Sequence, residues 1–137
     1  MIGIVIVAHG GLAREYLAAM EHVVGHRPGA VAIAIGPDDD SVSKQEEIDA
    51  AVKEVDDGHG VVVVTDMFGS TPSNLAVRAC RGTANKVLYG VNLPLLIKLA
   101  KARHLPLESA VAKALTAGRK YINSFDGPGP GRAPIAL

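Results

Sequence analysis

Two short segments of this sequence place chemically reactive side chains beside glycines. His9 follows the β-branched run of residues 4–7 and stands directly before Gly10 and Gly11. A helix-forming segment begins at Leu12, so the two glycines permit a tight turn and leave the first amide groups of that helix free. Free helix amides beside an imidazole are typical of an anion site. The segment is explained equally well if His9 only ends a buried strand and the two glycines only turn the chain.

The second segment follows the most hydrophobic short run of the chain, residues 61–65. It contains Asp66 and then Ser70 and Thr71. Thr71 can cap a helix, because the proline that follows it suits the first helical position. Taken one at a time, these residues are explained by structural roles at a strand end and a turn.

Brought together, the two segments can support nucleophilic catalysis by a histidine. The Asp66 carboxylate can accept a hydrogen bond from Nδ1 of His9, which leaves the lone pair of Nε2 facing outward. Phosphoryl transfer depends mainly on positioning and charge stabilisation. Backbone amides and hydroxyls can hold the phosphoryl oxygens without a metal or another cofactor. The residues that supply these amides and hydroxyls are Gly10, Gly11, Ser70 and Thr71.

Runs rich in valine and isoleucine alternate with amphipathic segments, which is typical of an α/β fold whose parallel sheet has helices on both faces. Four strands are predicted, at residues 2–8, 30–35, 61–65 and 86–91. We expect the strand order 2-1-3-4, which reverses between the first and third strands. Ligands in such sheets lie at the carboxyl ends of the strands at that reversal. This order makes His9 and Asp66 neighbours.

The C-terminal part has a different pattern. Residues 119–125 alternate in part and suit an antiparallel edge strand, following a helix that we expect to end at Gly118. Residues 126–137 are rich in glycine and proline and have no apolar face to bury, so we expect a flexible tail. The predicted organisation is one domain, residues 1–125, followed by that tail.

Composition narrows the function class. The chain has 137 residues with 14 basic and 14 acidic side chains, which gives no electrostatic footprint for nucleic acid. Its single cysteine, Cys80, lies in an apolar setting and is expected to be buried. The apolar residues 2–8 are too few for a signal sequence or a membrane span. We expect a cytoplasmic protein that does not insert into a membrane.

Three segments resemble the cytoplasmic IIA domains of the mannose family of the bacterial sugar phosphotransferase system. They are residues 4–10 (IVIVAHG), 64–74 (VTDMFGSTPSN) and 90–96 (GVNLPLL). The resemblance implies that His9 is phosphorylated by the histidine-containing phosphocarrier protein, and that Asp66 orients it. It also implies that the loop from Gly69 to Thr71 forms part of a phosphate cradle.

The resemblance further implies a homodimer that exchanges C-terminal edge strands, which fits residues 119–125. In one respect the chain departs from the family pattern. Many members have a tryptophan and a second glycine where Met67-Phe68-Gly69-Ser70 stands here, which alters the surface offered to a partner. We expect the next partner to be a IIB component or a regulatory target, and a docking module switched by His9 phosphorylation stays open beside a transport relay.

Two other enzyme classes also place a histidine or a His-Gly-Gly segment in a comparable position. The small cobalt and iron chelatases of tetrapyrrole synthesis also place a histidine after the first strand, but they need a second convergent histidine. None of His22, His26 and His104 can be assigned that place, and His22 and His26 lack a third ligand despite their helical spacing. A hydrolase is disfavoured because the chain has no G-x-S-x-G elbow. His59 and His104 are expected to be solvated.

Overall fold

The computed structural model describes residues 1–127, which form an α/β domain. The strands are β1 (Gly3–His9), β2 (Ala30–Ile35), β3 (Val61–Thr65) and β4 (Lys86–Leu88). The helices are α1 (Leu12–Val24), α2 (Ser41–Val55), α3 (Thr71–Cys80), α4 (Leu93–Lys101) and α5 (Leu107–Lys120). Within these residues, no helix combines the length and the apolar character needed to cross a membrane.

The four strands form one parallel sheet in the order β2-β1-β3-β4, which confirms the predicted order. Successive side chains of β1 alternate between two apolar layers. Ile4 and Ile6 pack with α1, α4 and α5, whereas Val5 and Val7 pack with α2 and α3. Because both faces are covered, the strand reads as a continuous apolar run. Each buried side chain of this kind contributes about 1.5–3 kcal/mol to folding.

The starts of the helices differ in how they are capped. Asp40 caps α2 by accepting a hydrogen bond from the Ser43 N–H at 3.1 Å. The N-terminus of α3 has no side-chain cap. The prediction that Thr71 is its cap is wrong, because Ser70 occupies that position and Thr71 is the first helical residue. The N-terminus of α1, after Gly11, is also without a side-chain cap.

The C-terminal segment differs most from the sequence prediction. Residues 119–120 complete α5, and Gly118 lies inside that helix rather than at its end. Residues 121–127 form no strand within this chain. The antiparallel edge strand predicted at 119–125 is therefore absent from the described residues. The helix extends two residues further than the glycine suggested. Of the predicted tail, residues 128–137 lie outside the described part.

Smaller differences concern strand length and helix faces. β4 ends at Leu88, because the chain turns away at Gly90, where φ is +76°. Leu12 and Val23 were expected on the inner face of α1 but are 45% and 52% exposed. The face of α1 that packs against the core instead carries Ala13, Met20 and Val24.

Cys80 is buried, as predicted. Burial, together with the negative charge of Asp49, raises the pKa of Cys80 to about 11. The reactive thiolate is therefore scarce at neutral pH. We expect iodoacetamide at pH 8 to alkylate the folded protein at least about 100-fold more slowly than the denatured protein, measured by mass spectrometry. Equal rates in the two states would contradict this burial.

Candidate functional site

His9 and Asp66 lie in contact at the carboxyl edge of the sheet, because β1 and β3 are adjacent. Nδ1 of His9 is 2.7 Å from Oδ2 of Asp66, and the backbone N–H of His9 donates to the same oxygen at 3.1 Å. The other carboxylate oxygen, Oδ1, accepts from the Met67 N–H at 3.0 Å. The carboxylate is thus fixed by hydrogen bonds from both loops. The strand order predicted this neighbourhood correctly.

This geometry assigns the tautomer of the imidazole. An ionised carboxylate only accepts hydrogen bonds, so Nδ1 of His9 carries the proton and Nε2 keeps its lone pair. The His9 side chain is 48% exposed, whereas that of Asp66 is 13% exposed. The pair therefore presents a nucleophilic nitrogen to an incoming group while its partner carboxylate stays largely covered.

The charge state of Asp66 follows from two opposing effects. Burial disfavours the carboxylate and by itself raises the pKa of Asp66. The hydrogen bonds from the His9 ring and backbone, together with the attraction of the ring when it is protonated, outweigh burial and lower the pKa of Asp66 below its ordinary value. The carboxylate is consequently ionised at neutral pH.

A cavity of about 280 Å³ opens beside His9. Its lining comes from four segments, namely the ends of β1 and β2, the start of α2 and the start of α3. The lining residues are His9, Gly10, Ile35, Gly36, Pro37, Asp39, Ser41, Lys44, Thr71 and Leu75. Of the residues that the sequence predicted for the site, the cavity brings together His9, Gly10 and Thr71. Asp66 contacts His9 from the side, and Gly11, Gly69 and Ser70 do not line this cavity.

Two of the predicted phosphate-binding groups are engaged elsewhere. Gly10 has the left-handed φ of +54°, and its N–H donates to the Ile35 carbonyl at 2.8 Å. The expectation that this amide is free for an anion is therefore wrong. The Ser70 hydroxyl donates to the Met67 carbonyl at 2.6 Å, which closes the loop before α3. Gly69, with a φ of +81°, supplies the turn inside that loop.

The exposed Thr71 side chain and the start of α3 are the predicted groups best placed for an anion. Because α3 has no side-chain cap, its first-turn amides are not satisfied by a side chain. The partial positive charge of a helix N-terminus favours a phosphoryl group there.

The residues predicted from the sequence do not include those contributed by the loop before α2 and by its first turn. Asp39, Ser41 and Lys44 line the cavity, because β2 lies beside β1 and its following loop ends at the same edge. The only sequence signal for this contribution is the strand order.

Exposed apolar side chains surround the same edge. Phe68 follows β3 and Tyr89 follows β4, and their rings are 4.8 Å apart between centroids. Phe68 is 69% exposed and Tyr89 is 53% exposed, and Met67 beside them is 59% exposed. An exposed group of this kind is typical of a surface that contacts another protein.

The other histidines lie away from this site. His22 lies in the last turn of α1, which ends at Val24 before Gly25 as predicted, and Nδ1 of His26 lies 2.6 Å from Oε2 of Glu21. His59 is exposed and lies 2.7 Å from Asp57. Among residues 1–127, no group of three or more His, Cys, Asp or Glu side chains is arranged to hold a metal ion.

Comparison with known proteins identifies the family. Residues 3–116 match the sequence model of the EIIA-man family, described as the PTS system fructose IIA component. The chain belongs to this family. The resemblance drawn from the sequence is thereby confirmed.

Individual relatives agree with this assignment. The mannose-specific EIIAB component of the PTS of Escherichia coli K12 is 29% identical over 90% of this chain, which spans only 39% of that relative's length. A phosphotransferase component EIIA structure from Streptococcus agalactiae superposes with a TM-score of 0.81 at 28% identity, covering 90% of this chain and 97% of that one. The mannose/sorbose IIA subunit structure from Enterococcus faecalis has a TM-score of 0.82 at 25% identity, with coverages of 93% and 97%.

Proposed function

We propose that this EIIA component accepts a phosphoryl group on Nε2 of His9 from the histidine-containing phosphocarrier protein. It then passes the group to a IIB component or uses it for regulation, working in the cytoplasm. The 2.7 Å contact between Nδ1 of a half-exposed His9 and Asp66 carries this proposal. Membership in the EIIA-man family supports it.

The transfer exchanges one phosphorus–nitrogen bond for another. Nε2 of His9 attacks the phosphorus atom of a donor phosphohistidine, and the donor bond breaks as the new bond forms. Positive charge develops on the His9 ring, and the Asp66 carboxylate offsets it. Thr71 and the first amides of α3 receive the phosphoryl oxygens at the cavity wall. The donor imidazole leaves with the bonding electron pair and takes up a proton.

The surroundings of the site suit a protein donor. A donor histidine must come within bonding distance of Nε2, so the whole edge of the sheet faces the donor molecule. Met67, Phe68 and Tyr89 expose apolar surface along that edge. This surface offers the kind of area that protein partners bury, and it replaces the tryptophan and second glycine expected from the family pattern.

Transfer from the phosphorylated carrier tests the proposal. The protein is incubated with phosphorylated carrier in the presence of EDTA, and acid-labile phosphate is located by mass spectrometry under alkaline conditions. Phosphate on His9 is the expected result. A chelatase would instead carry no phosphate and would insert Co²⁺ or Fe²⁺ into a tetrapyrrole. Loss of transfer under EDTA would reopen the case for a metal. Onward transfer to a purified IIB domain separates a transport relay from a regulator.

We also propose a homodimer in which residues 121–125 of each copy pair with the other copy. β4 stands at the edge of the sheet, and an exposed edge strand is a template for pairing. A groove of about 310 Å³ runs beside it, lined in part by Val87, Tyr89 and Leu115. Tyr121, Ile122 and Phe125 are 53%, 72% and 49% exposed, so the segment carries apolar surface that this chain does not cover.

Truncation tests the dimer. A chain cut after Lys120 is expected to be a monomer by light scattering, whereas the full chain has twice the mass of 14.2 kDa. A chain cut after Gly127 is the matched control, since it keeps the apolar segment, and it is expected to remain a dimer. A dimer that survives the cut after Lys120 would show that residues 121–125 are not the exchanged element.

A further inference from the structure

We infer that Lys44 is the cation that binds the phosphoryl group on His9, reaching it across the cavity from α2. This inference rests on the proposed function and adds a residue to it. None of the three segments that carry the family resemblance contains Lys44.

Lys44 lies in the wall of the cavity beside His9. It is the fourth residue of α2 and lines the same cavity as His9 and Thr71. Its side chain is only 21% exposed. The flexible stem of a lysine allows the ammonium to move by several ångströms within such a cavity. Residues of α2 and of α3 thus line the same cavity beside His9.

The charges around the cavity create the need for a cation. Among residues 1–127, Lys44 is the one lysine or arginine in the cavity lining, while Asp39 also lines the cavity and Asp66 contacts His9. Neither carboxylate is free to turn away. Asp39 accepts from the Gly36 N–H at 2.6 Å, and Asp66 is held by the hydrogen bonds described above. A phosphoryl group brings a further charge of about −1.5 to −2, so its arrival is opposed unless a cation offsets it.

The present partners of Lys44 are weak enough to be exchanged. Its Nζ lies 3.0 Å from Oε2 of Glu47 and 3.9 Å from Oδ2 of Asp39. Glu47 lies three residues further along α2 and is 52% exposed, and ion pairs of that exposure contribute little. A phosphoryl oxygen offers a higher charge and a charge-assisted hydrogen bond. Lys44 therefore exchanges Glu47 for the phosphoryl group when His9 is phosphorylated.

The ionisation of the phosphoryl group itself reports this contact. A cation beside the phosphate favours its doubly charged form and lowers its second pKa. We measure that pKa by ³¹P NMR on the isolated phosphorylated protein, where no partner is present. In Lys44→Met, which keeps the stem but loses the charge, it is expected to rise by roughly 0.2–0.7 unit. The phosphorylation rate is expected to fall about tenfold.

Two further variants control for indirect effects. Lys44→Arg keeps a cation and is expected to restore most of the rate and the lowered phosphate pKa. Lys53→Met removes an exposed lysine from the last turn of the same helix and is expected to match the wild type. Circular dichroism verifies that each variant is folded.

The outcomes separate this inference from the proposed function. Wild-type protein that takes no phosphate overturns both. If the wild type is phosphorylated and the second pKa of its phosphoryl group is the same as in Lys44→Met, only the role of Lys44 is overturned. A slower rate with an unchanged titration also overturns it, because Lys44 would then act on the donor protein rather than on the phosphoryl group.

Discussion

Replacing His9 with alanine is expected to abolish phosphorylation by the carrier, with a loss on the order of 10⁴-fold or more. The reason is that Nε2 of His9 is the proposed site of the new phosphorus–nitrogen bond, and alanine offers no nucleophile there. The fold should survive, because the ring is half exposed and the backbone N–H at position 9 still bonds Asp66. Transfer of ³²P from labelled carrier, followed by site mapping, measures the loss.

The other histidines provide the controls for this variant. They are His22, His26, His59 and His104, which lie away from the cavity beside His9. Changing any of them to alanine is expected to leave the rate near that of the wild type. Label that remains on one of them in His9→Ala would contradict the assignment of His9.

Removing the carboxylate of Asp66 is expected to lower the phosphorylation rate by roughly 10²-fold or more. In Asp66→Ala the ring of His9 loses the acceptor that fixes its tautomer and offsets its charge in the transition state. In Asp66→Asn the side-chain amide can donate to Nδ1, which favours the tautomer with a proton on Nε2 and removes the nucleophile. The two variants thus damage transfer by different routes.

Two measurements separate an effect on transfer from an effect on folding. Single-turnover rates give the transfer step, and chemical denaturation gives the free energy of unfolding. Asp66→Asn keeps the volume and an oxygen acceptor for the Met67 N–H, but its NH2 group then faces the backbone N–H of His9. It is therefore expected to stay folded while losing about 1–3 kcal/mol of the free energy of unfolding. Near-wild-type transfer rates in both variants would remove Asp66 from the mechanism.

The lowered pKa of Asp66 also predicts a dependence on pH. A carboxyl group whose pKa is lower in the folded state stabilises the protein above its ordinary pKa of about 3.9. That stabilisation is lost as the pH falls further, through the lowered value in the folded protein. The wild type should therefore lose more stability below about pH 3.9 than Asp66→Asn does.

The strand order and the contact between His9 and Asp66 could be predicted because they follow from simple patterns. Continuous apolar runs mark strands that are buried on both faces, and their order brings two loops to one edge. The hydrogen-bond partners of individual backbone N–H groups could not be predicted in this way. Whether the Gly10 N–H meets an anion or the Ile35 carbonyl depends on how far the ladder between β1 and β2 extends, which no local pattern encodes.

The missed role of α2 has a similar physical origin. Lys44 reads as an ordinary helix-surface lysine, because its sequence neighbours Ser43 and Gln45 give no sign of a cavity. Only the tertiary placement of β2 beside β1 turns that side of α2 toward His9. The helical state of residues 119–120 was missed because a glycine at position 118 is tolerated inside α5 once it packs against Leu95.

One carboxylate oxygen of Asp66 accepts from both the ring and the backbone N–H of His9. These two hydrogen bonds fix the imidazole when the protein folds. The conformational entropy of the His9 side chain is therefore lost on folding and not when a donor binds. The encounter with a donor then need not supply that ordering energy. For the proposed transfer, a complex of modest affinity and short residence would then be sufficient, and rapid dissociation would let one molecule serve successive donors and acceptors.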